Sequence, residues 1–296
     1  MRDLHIPISR RGLLSSAAVA TGMALLNVGD AVANEEINFQ SPGEIIDTNV
    51  SLFHYPFRRL PLDSTDRLVA KLRELNISQA WAGSYEGIFH RDLTAVNQRL
   101  ADECSKFAEL IPFGTVNPTL PGWEADFDLC HRKHSMPGIR LYPGYHQYQL
   151  DDDNCMSLMA LAREAGIVIQ IVTTLEDMRT QHRLVQIPDV DLKPLIQVFD
   201  KIGRPKIQIL NMRMNLGLFQ QLSPFENISF DTSRIDGTDG VKTLFGVIPP
   251  HRVCFGTHAP FLIPEAALIR VIEAPLSVVE REHLVSLSTQ KLIWGE

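Results

Sequence analysis

From residue 44 onward, short β-branched or apolar runs alternate with longer stretches in which apolar residues recur at spacings of three and four. This is the pattern of repeated βα units. Strands are predicted at 44–50, 77–82, 110–116, 138–142, 167–172, 206–210, 227–231 and 252–256. Helices are predicted at 64–75, 93–108, 151–165, 191–202, 264–272 and 278–287. In the first of these, Leu68, Val69, Leu72 and Leu75 make one apolar stripe behind the capping-type run Asp63-Ser64-Thr65-Asp66. Gly166, Gly203 and Asn76 follow helical segments and suit left-handed C-caps.

Eight strands with intervening helices over about 250 residues predict an α/β fold, a single-domain (β/α)8 TIM barrel. The rival, a doubly wound sheet, lacks a glycine-rich phosphate loop after its first strand. In a barrel, chemistry belongs on the loops at the carboxyl ends of the strands. That rule selects Asn49, Ser51, His54, Asn117, Tyr142, Tyr145, His146, Thr173, Asn211, Arg213, Asp231, Ser233 and His258.

Residues 1–33 break the alternation. Ser9-Arg10-Arg11-Gly12-Leu13-Leu14, a weakly apolar stretch to Val28 and Ala31-Val32-Ala33 resemble a twin-arginine signal peptide cleaved after Ala33. Residues 34–43 then read as a linker and 44–296 as the barrel, and the expected location is the periplasm or cell envelope. The apolar stretch falls short of the roughly 20 residues a membrane anchor needs.

With 45% hydrophobic and 21% charged residues, the composition is that of an ordinary globular protein. Removing residues 1–33 takes away three arginines and two aspartates and moves the net charge from −7 to −8. With no basic run, a nucleic-acid partner is not expected and a small-molecule substrate is. Cys104, Cys130, Cys155 and Cys254 form no C-x-x-C pair and read as buried apolar side chains, with none or one disulfide. His131 and His134, three apart and flanked by Arg132 and Lys133, read as surface residues rather than metal ligands.

Several segments resemble the amidohydrolase-related metal-dependent hydrolases, specifically the branch containing 2-pyrone-4,6-dicarboxylate lactonase, sugar lactonases and related decarboxylases. Ile46-Asp47-Thr48-Asn49-Val50-Ser51 stands where that family has Asp-x-His-x-His. The stretch 227–233 resembles its seventh strand, and Phe255-Gly256-Thr257-His258-Ala259-Pro260-Phe261 stands where it has Phe-Gly-Ser-Asp-x-Pro-Phe. Lys291-Leu292-Ile293-Trp294-Gly295 resembles its C-terminal ending. The resemblance covers most of residues 44–295 and implies a barrel hydrolase. Homodimers are common in the family.

The sequence departs from that family at its metal ligands. Asn49 and Ser51 replace two histidines, Gln170 and Val172 occupy the strand-five region, Asn211 takes the strand-six place, and His258 replaces the aspartate. Amide and hydroxyl oxygens are weak neutral donors, so no metal and no cofactor is expected.

The expected catalytic pair is His258, as a base or acid titrating near neutral pH, oriented by Asp231. Arg58, Arg59 and Arg213 would hold an anionic group, and Arg140 would add positive charge. Asn49, Ser51, Asn117, Tyr142 and Asn211 complete the expected substrate-binding set. Together they predict a metal-independent, lactonase-like hydrolase of a small carboxylate. The alternatives are an inactive barrel that binds a ligand in the envelope, or a decarboxylase or hydratase on the same scaffold.

Overall fold

In the computed structural model, which describes residues 44–237 and 239–295, nine strands run parallel. They are β1 (Ile45–Leu52), β2 (Ile77–Ser84), β3 (Leu110–Pro112), β4 (Gly114–Thr115), β5 (Gly138–Leu141), β6 (Val168–Val172), β7 (Ile207–Leu210), β8 (Ile228–Asp231) and β9 (Val253–Cys254). The signal-peptide reading of 1–33 and the linker at 34–43 lie outside the described residues.

Strands β1 to β3 pair in sequence order, as do β4 to β9. The break between β3 and β4 is local. Pro112 has no N–H to give to the ladder, yet the next residue resumes it, Phe113 N–H donating to Ala82 O at 2.8 Å. β3 and β4 are therefore one barrel position, and the eight expected strands are all present. The circle closes where Thr48 N–H donates to Phe255 O and Ser51 N–H to Ala259 O, both at 2.9 Å, with Val50 bridging Ala259 in parallel register.

The outer layer forms where apolar stripes need a sheet to cover. Helix Thr65–Glu74 buries Leu68, Val69 and Leu72, each worth about 2 kcal/mol on removal from water. Helices Asp153–Ala165, Pro194–Ile202 and Pro264–Glu273 bury equivalent stripes. Gly166 caps its helix at φ +71°, and Asn76 and Gly203 also take positive φ. The segment expected as one helix over 93–108 stops at Cys104, and that over 278–287 passes through a π-helical turn, His283–Leu287. Among the described residues, no helix is long and apolar enough to cross a membrane.

All four cysteines are buried free thiols, pushed up to about 12 by burial. His131 and His134 are half-buried rather than exposed, on and just after the π-helical turn Leu129–Lys133.

Inside the barrel, the large polar side chain is Arg140 of β5, only 1% exposed. Its Nε donates to Gln170 Oε1 at 2.8 Å, one terminal nitrogen to Val50 O at 2.7 Å and Ser51 Oγ at 3.3 Å, and the other to Trp81 O at 3.1 Å. Gln170 continues the chain to Thr48 O and Gln208 Oε1, both at 2.8 Å. Gly83 makes this possible, because a Cβ there would stand 2.6 Å from an Arg140 nitrogen. The positive charge expected of Arg140 at the mouth is thus committed to the barrel's own carbonyls.

Candidate functional site at the carboxyl ends of the strands

The residues that end β1, β7 and β8 meet. Asn49 Nδ2 donates to Asn211 Oδ1 and to Asp231 Oδ2, both at 2.7 Å, with Ser233 Oγ at 3.4 Å. Asn211 donates its backbone N–H to Asp231 Oδ1 at 2.9 Å and its side-chain Nδ2 to Thr174 O at 2.8 Å, while Ser233 Oγ donates to Asn211 Oδ1 at 2.8 Å. These partners fix the orientation of both amides, since turning Asn49 over would set its oxygen against two others. The whole group is at most 1% exposed. Gly256 is packed against it, where a Cβ would lie 2.7 Å from Asp231 Oδ2. Burial raises the Asp231 carboxyl above its ordinary value, against the hydrogen bonds it accepts.

His258 stands apart from that network. Its Nε2 is 2.8 Å from Leu175 O, and since a carbonyl only accepts, Nε2 carries the proton and Nδ1 is a bare lone pair. Nδ1 is buried and has no partner among the described residues. The ring stacks on Phe261, with centroids 5.1 Å apart at 14°. Burial lowers its pKa to about 3, with Arg234, Arg140 and Arg58 adding to the effect. Two expectations are therefore corrected: Asp231 makes no hydrogen bond to His258, and His258 does not titrate near neutral pH. The imidazole is a fixed neutral acceptor.

Asn211 and His258 also hold left-handed backbone, at φ +61° and +57°. Such strain costs about 1–2 kcal/mol per residue and persists only where the surroundings impose it.

Over these groups lies an aromatic cover containing Tyr55, Tyr85, Tyr142, Leu175 and Phe261. Tyr55 and Phe261 meet edge to face at 5.0 Å, and the Arg58 guanidinium sits 4.4 Å above the Phe261 ring. Arg58 pairs with Glu176 at 3.5 Å, and Tyr55 Oη donates to Glu176 Oε1 at 2.9 Å. The Tyr85 and Tyr145 hydroxyls are buried without partners among the described residues. A cavity of about 430 Å³ lies beside the cover, lined by Phe53, His54, Asp63, Tyr85, Phe89 and His90 among others, and not by Asn49, Asp231 or His258.

The remaining expected residues divide. Arg213, after β7, keeps its Nε and Nη2 buried and unpartnered among the described residues, with Nη1 3.9 Å from Asp177. That Nε–Nη2 edge is the one by which Arg73 grips Glu109 and Arg179 grips Asp177, the geometry that suits a carboxylate. Ser51 is spent on Arg140, and Tyr142 is a wall residue with its hydroxyl 3.5 Å from Ser84 O. Arg59 is exposed and tied to Asp63 at 2.8 Å. Asn117 accepts from Thr119 N–H and Oγ1, which satisfies its own loop.

Glu176 and Arg234 were not among the expected residues. Arg234 donates to Leu175 O at 3.4 Å and is lowered by burial and by the charge of Arg213. Counting three or four residues beyond each predicted strand end would have found both.

The donor set does not fit a divalent cation. Asp231 is the one carboxyl group among the side chains of this network, and the oxygens around it face the Asn49 amide hydrogens. Among the described residues, no group of three or more His, Cys, Asp or Glu could hold a metal ion.

This closed parallel barrel, with polar side chains gathered at the carboxyl ends, is a (β/α)8 fold, and solved structures of several enzymes share it. The chain superposes on 5-carboxyvanillate decarboxylase from Sphingomonas paucimobilis with a TM-score of 0.69 at 12% identity, covering 84% of this chain and 98% of that one. A candidate amidohydrolase from Staphylococcus aureus gives 0.65 at 10% identity, covering 84% and 99%. A dihydroxybenzoic acid decarboxylase from Polaromonas sp. JS666, with bound manganese and 2-nitroresorcinol, gives 0.64 at 13%, covering 84% and 96%. No protein-family model matches the chain, and no curated protein matches it in sequence.

Proposed function

We propose that this protein is a metal-independent enzyme acting at the strand-end centre on a small carboxylate, with non-oxidative decarboxylation favoured over lactone hydrolysis. The observation that carries this reading is the dry, dyad-free state of His258. Hydrolysis needs a water activated by a base, and an imidazole lowered to about 3 without a carboxylate partner is a poor one. Decarboxylation needs no water, and a closed mouth that strips solvent from a carboxylate favours loss of CO2.

In this reading the open edge of Arg213 holds the substrate carboxylate and Nδ1 of His258 accepts a hydrogen bond from a substrate hydroxyl. The bond from carbon to the carboxylate breaks, CO2 leaves, and the electron pair left on carbon takes a proton from Asp231, which burial makes the more readily protonated. The aryl-carboxylate decarboxylases that share the fold support this choice of reaction.

The test is a panel of hydroxyaryl carboxylates, aliphatic carboxylates and lactones, followed by NMR and CO2 release with and without EDTA. The expected result is CO2 release from a carboxylate, insensitive to EDTA and reduced about 100-fold by Arg213→Gln or His258→Ala, the scale of a lost charge-assisted contact. Lactone opening without CO2, or full activity of His258→Ala, would overturn it. A binding-only barrel is the second reading, favoured by the way the Asn49 amide closes the centre on itself. Saturable binding across the panel without any product would select it.

A further inference from the structure

We propose that Glu176 is a positioning residue that locks the strand-end centre in its closed form, tying the loop after β1 across the mouth and thereby holding His258 in one tautomer through the adjacent Leu175 carbonyl. The proposal rests on the reading of this centre as the working site, and its test needs no turnover.

Three consecutive residues after β6 each hold a different part of the site. The Thr174 carbonyl receives Asn211 Nδ2 at 2.8 Å. The Leu175 carbonyl receives His258 Nε2 at 2.8 Å and Arg234 at 3.4 Å. The Glu176 carboxylate, 4% exposed, receives the Tyr55 hydroxyl at 2.9 Å, pairs with Arg58 at 3.5 Å and takes Thr180 Oγ1 at 3.4 Å. Thr174 Oγ1 donates back to Glu176 O at 2.9 Å, which stiffens the segment.

β1 and β6 are the first and fifth of the eight barrel positions, opposite each other on the circle. The Tyr55–Glu176 and Arg58–Glu176 contacts therefore bridge the mouth rather than join neighbours. Phe261, under Arg58 and stacked on the His258 ring, is pinned by the same bridge. Access to His258, itself 1% exposed, requires that bridge to part. Because the Leu175 carbonyl is one peptide away, a displaced Glu176 also releases the acceptor that keeps the proton on Nε2.

Ethoxycarbonylation by diethyl pyrocarbonate reports the state of His258, because the reagent attacks a neutral imidazole nitrogen that it can reach. His146 supplies an internal reference, being a half-buried imidazole with a buried, unpartnered Nδ1, lowered to about 4 mainly by burial, held by Gly87 O at 3.2 Å and making no hydrogen bond to Glu176. The site-resolved rate is read by peptide mass spectrometry on the full chain. Glu176→Gln is expected to raise modification of His258 at least tenfold and leave His146 unchanged. Arg58→Gln, a change at a half-exposed position, is expected to raise it less, and Glu176→Asp to restore part of the protection. Nitrogen-15 shifts of His258 should move from a fixed Nε2–H tautomer toward an averaged one in Glu176→Gln.

An unchanged His258 rate in Glu176→Gln would overturn the proposal, as would a rise shared equally by His146, which would mark general loosening. Selective release of His258 with no product from the substrate panel would uphold Glu176 as the lock and reject the decarboxylase reading.

Discussion

At the scale of single residues, burial changes what a side chain can do. His258 falls from an ordinary 6.5 to about 3 because an imidazolium cannot be hydrated where it sits. The unfolded chain takes up that proton below pH 6.5 and the native chain refuses it until about pH 3. The contribution to stability is therefore complete above pH 6.5 and is lost as pH falls, by about 2 kcal/mol at pH 5. Asp47 works in the opposite direction. Burial raises it to about 6, even though Thr257 donates to it at 2.5 Å, so its destabilising effect grows as pH rises from about 4 to 6 and is constant above. His258→Gln should make the loss of stability between pH 7 and pH 5 about 2 kcal/mol smaller than in the native chain. Urea unfolding at the two pH values measures this, and parallel curves for the two proteins would contradict it.

At the scale of elements, β5 is laddered to β4 and β6 and is also tied to β1, β2 and β6 by one guanidinium. Arg140 reaches Val50 O and Trp81 O across the barrel interior, so its removal leaves buried carbonyls unpaired. Arg140→Met should destabilise the protein by about 3 kcal/mol, the cost typical of stripping a partner from buried acceptors and charges. Chemical unfolding checks the figure, and a loss below about 1 kcal/mol would show that water or neighbours replace the contacts. The strands themselves were readable from the sequence within one or two residues, because apolar runs of 4–8 residues bounded by Gly, Asn and Pro carry a strong local signal. The short helices Glu86–Phe89, Trp123–Asp128 and Leu216–Leu222 were not, since four to seven residues hold too few turns to show a period.

Across the whole molecule, the barrel brings residues from distant parts of the chain to one end, and there the donor set turns away from metal chemistry. A cation bound with a dissociation constant of about 10 μM would add about 2.7 kcal/mol at 1 mM, or roughly 5–10 °C in Tm for a chain of this size. Adding 1 mM manganese or EDTA to the purified protein should move the thermal midpoint by less than about 1 °C. A manganese shift of several degrees, abolished by Asp231→Asn, would show that the Asn49 amide yields its place to a cation. We also propose that residues 1–33 direct export, which predicts a mature N-terminus at Asn34 on sequencing the secreted protein.

The barrel was legible in the chain alone, since each βα unit declares its period locally and eight of them have one economical closure. So were the side chains that gather at the carboxyl end, because a strand's direction fixes where its last residue stands. Asn49, Asn211 and Asp231 were legible for that reason. Which side chain bonds to which was settled by the closed barrel. Asp231 belongs to the two asparagines and not to His258, the His258 proton is set by a loop carbonyl, Arg140 is spent inside the barrel, and Glu176 spans the mouth from a loop with no periodic signal. Hydrogen-bond partners more than a hundred residues apart, and the desolvation that shifts a pKa, are properties of the closed assembly of strands and loops. No window of sequence contains them.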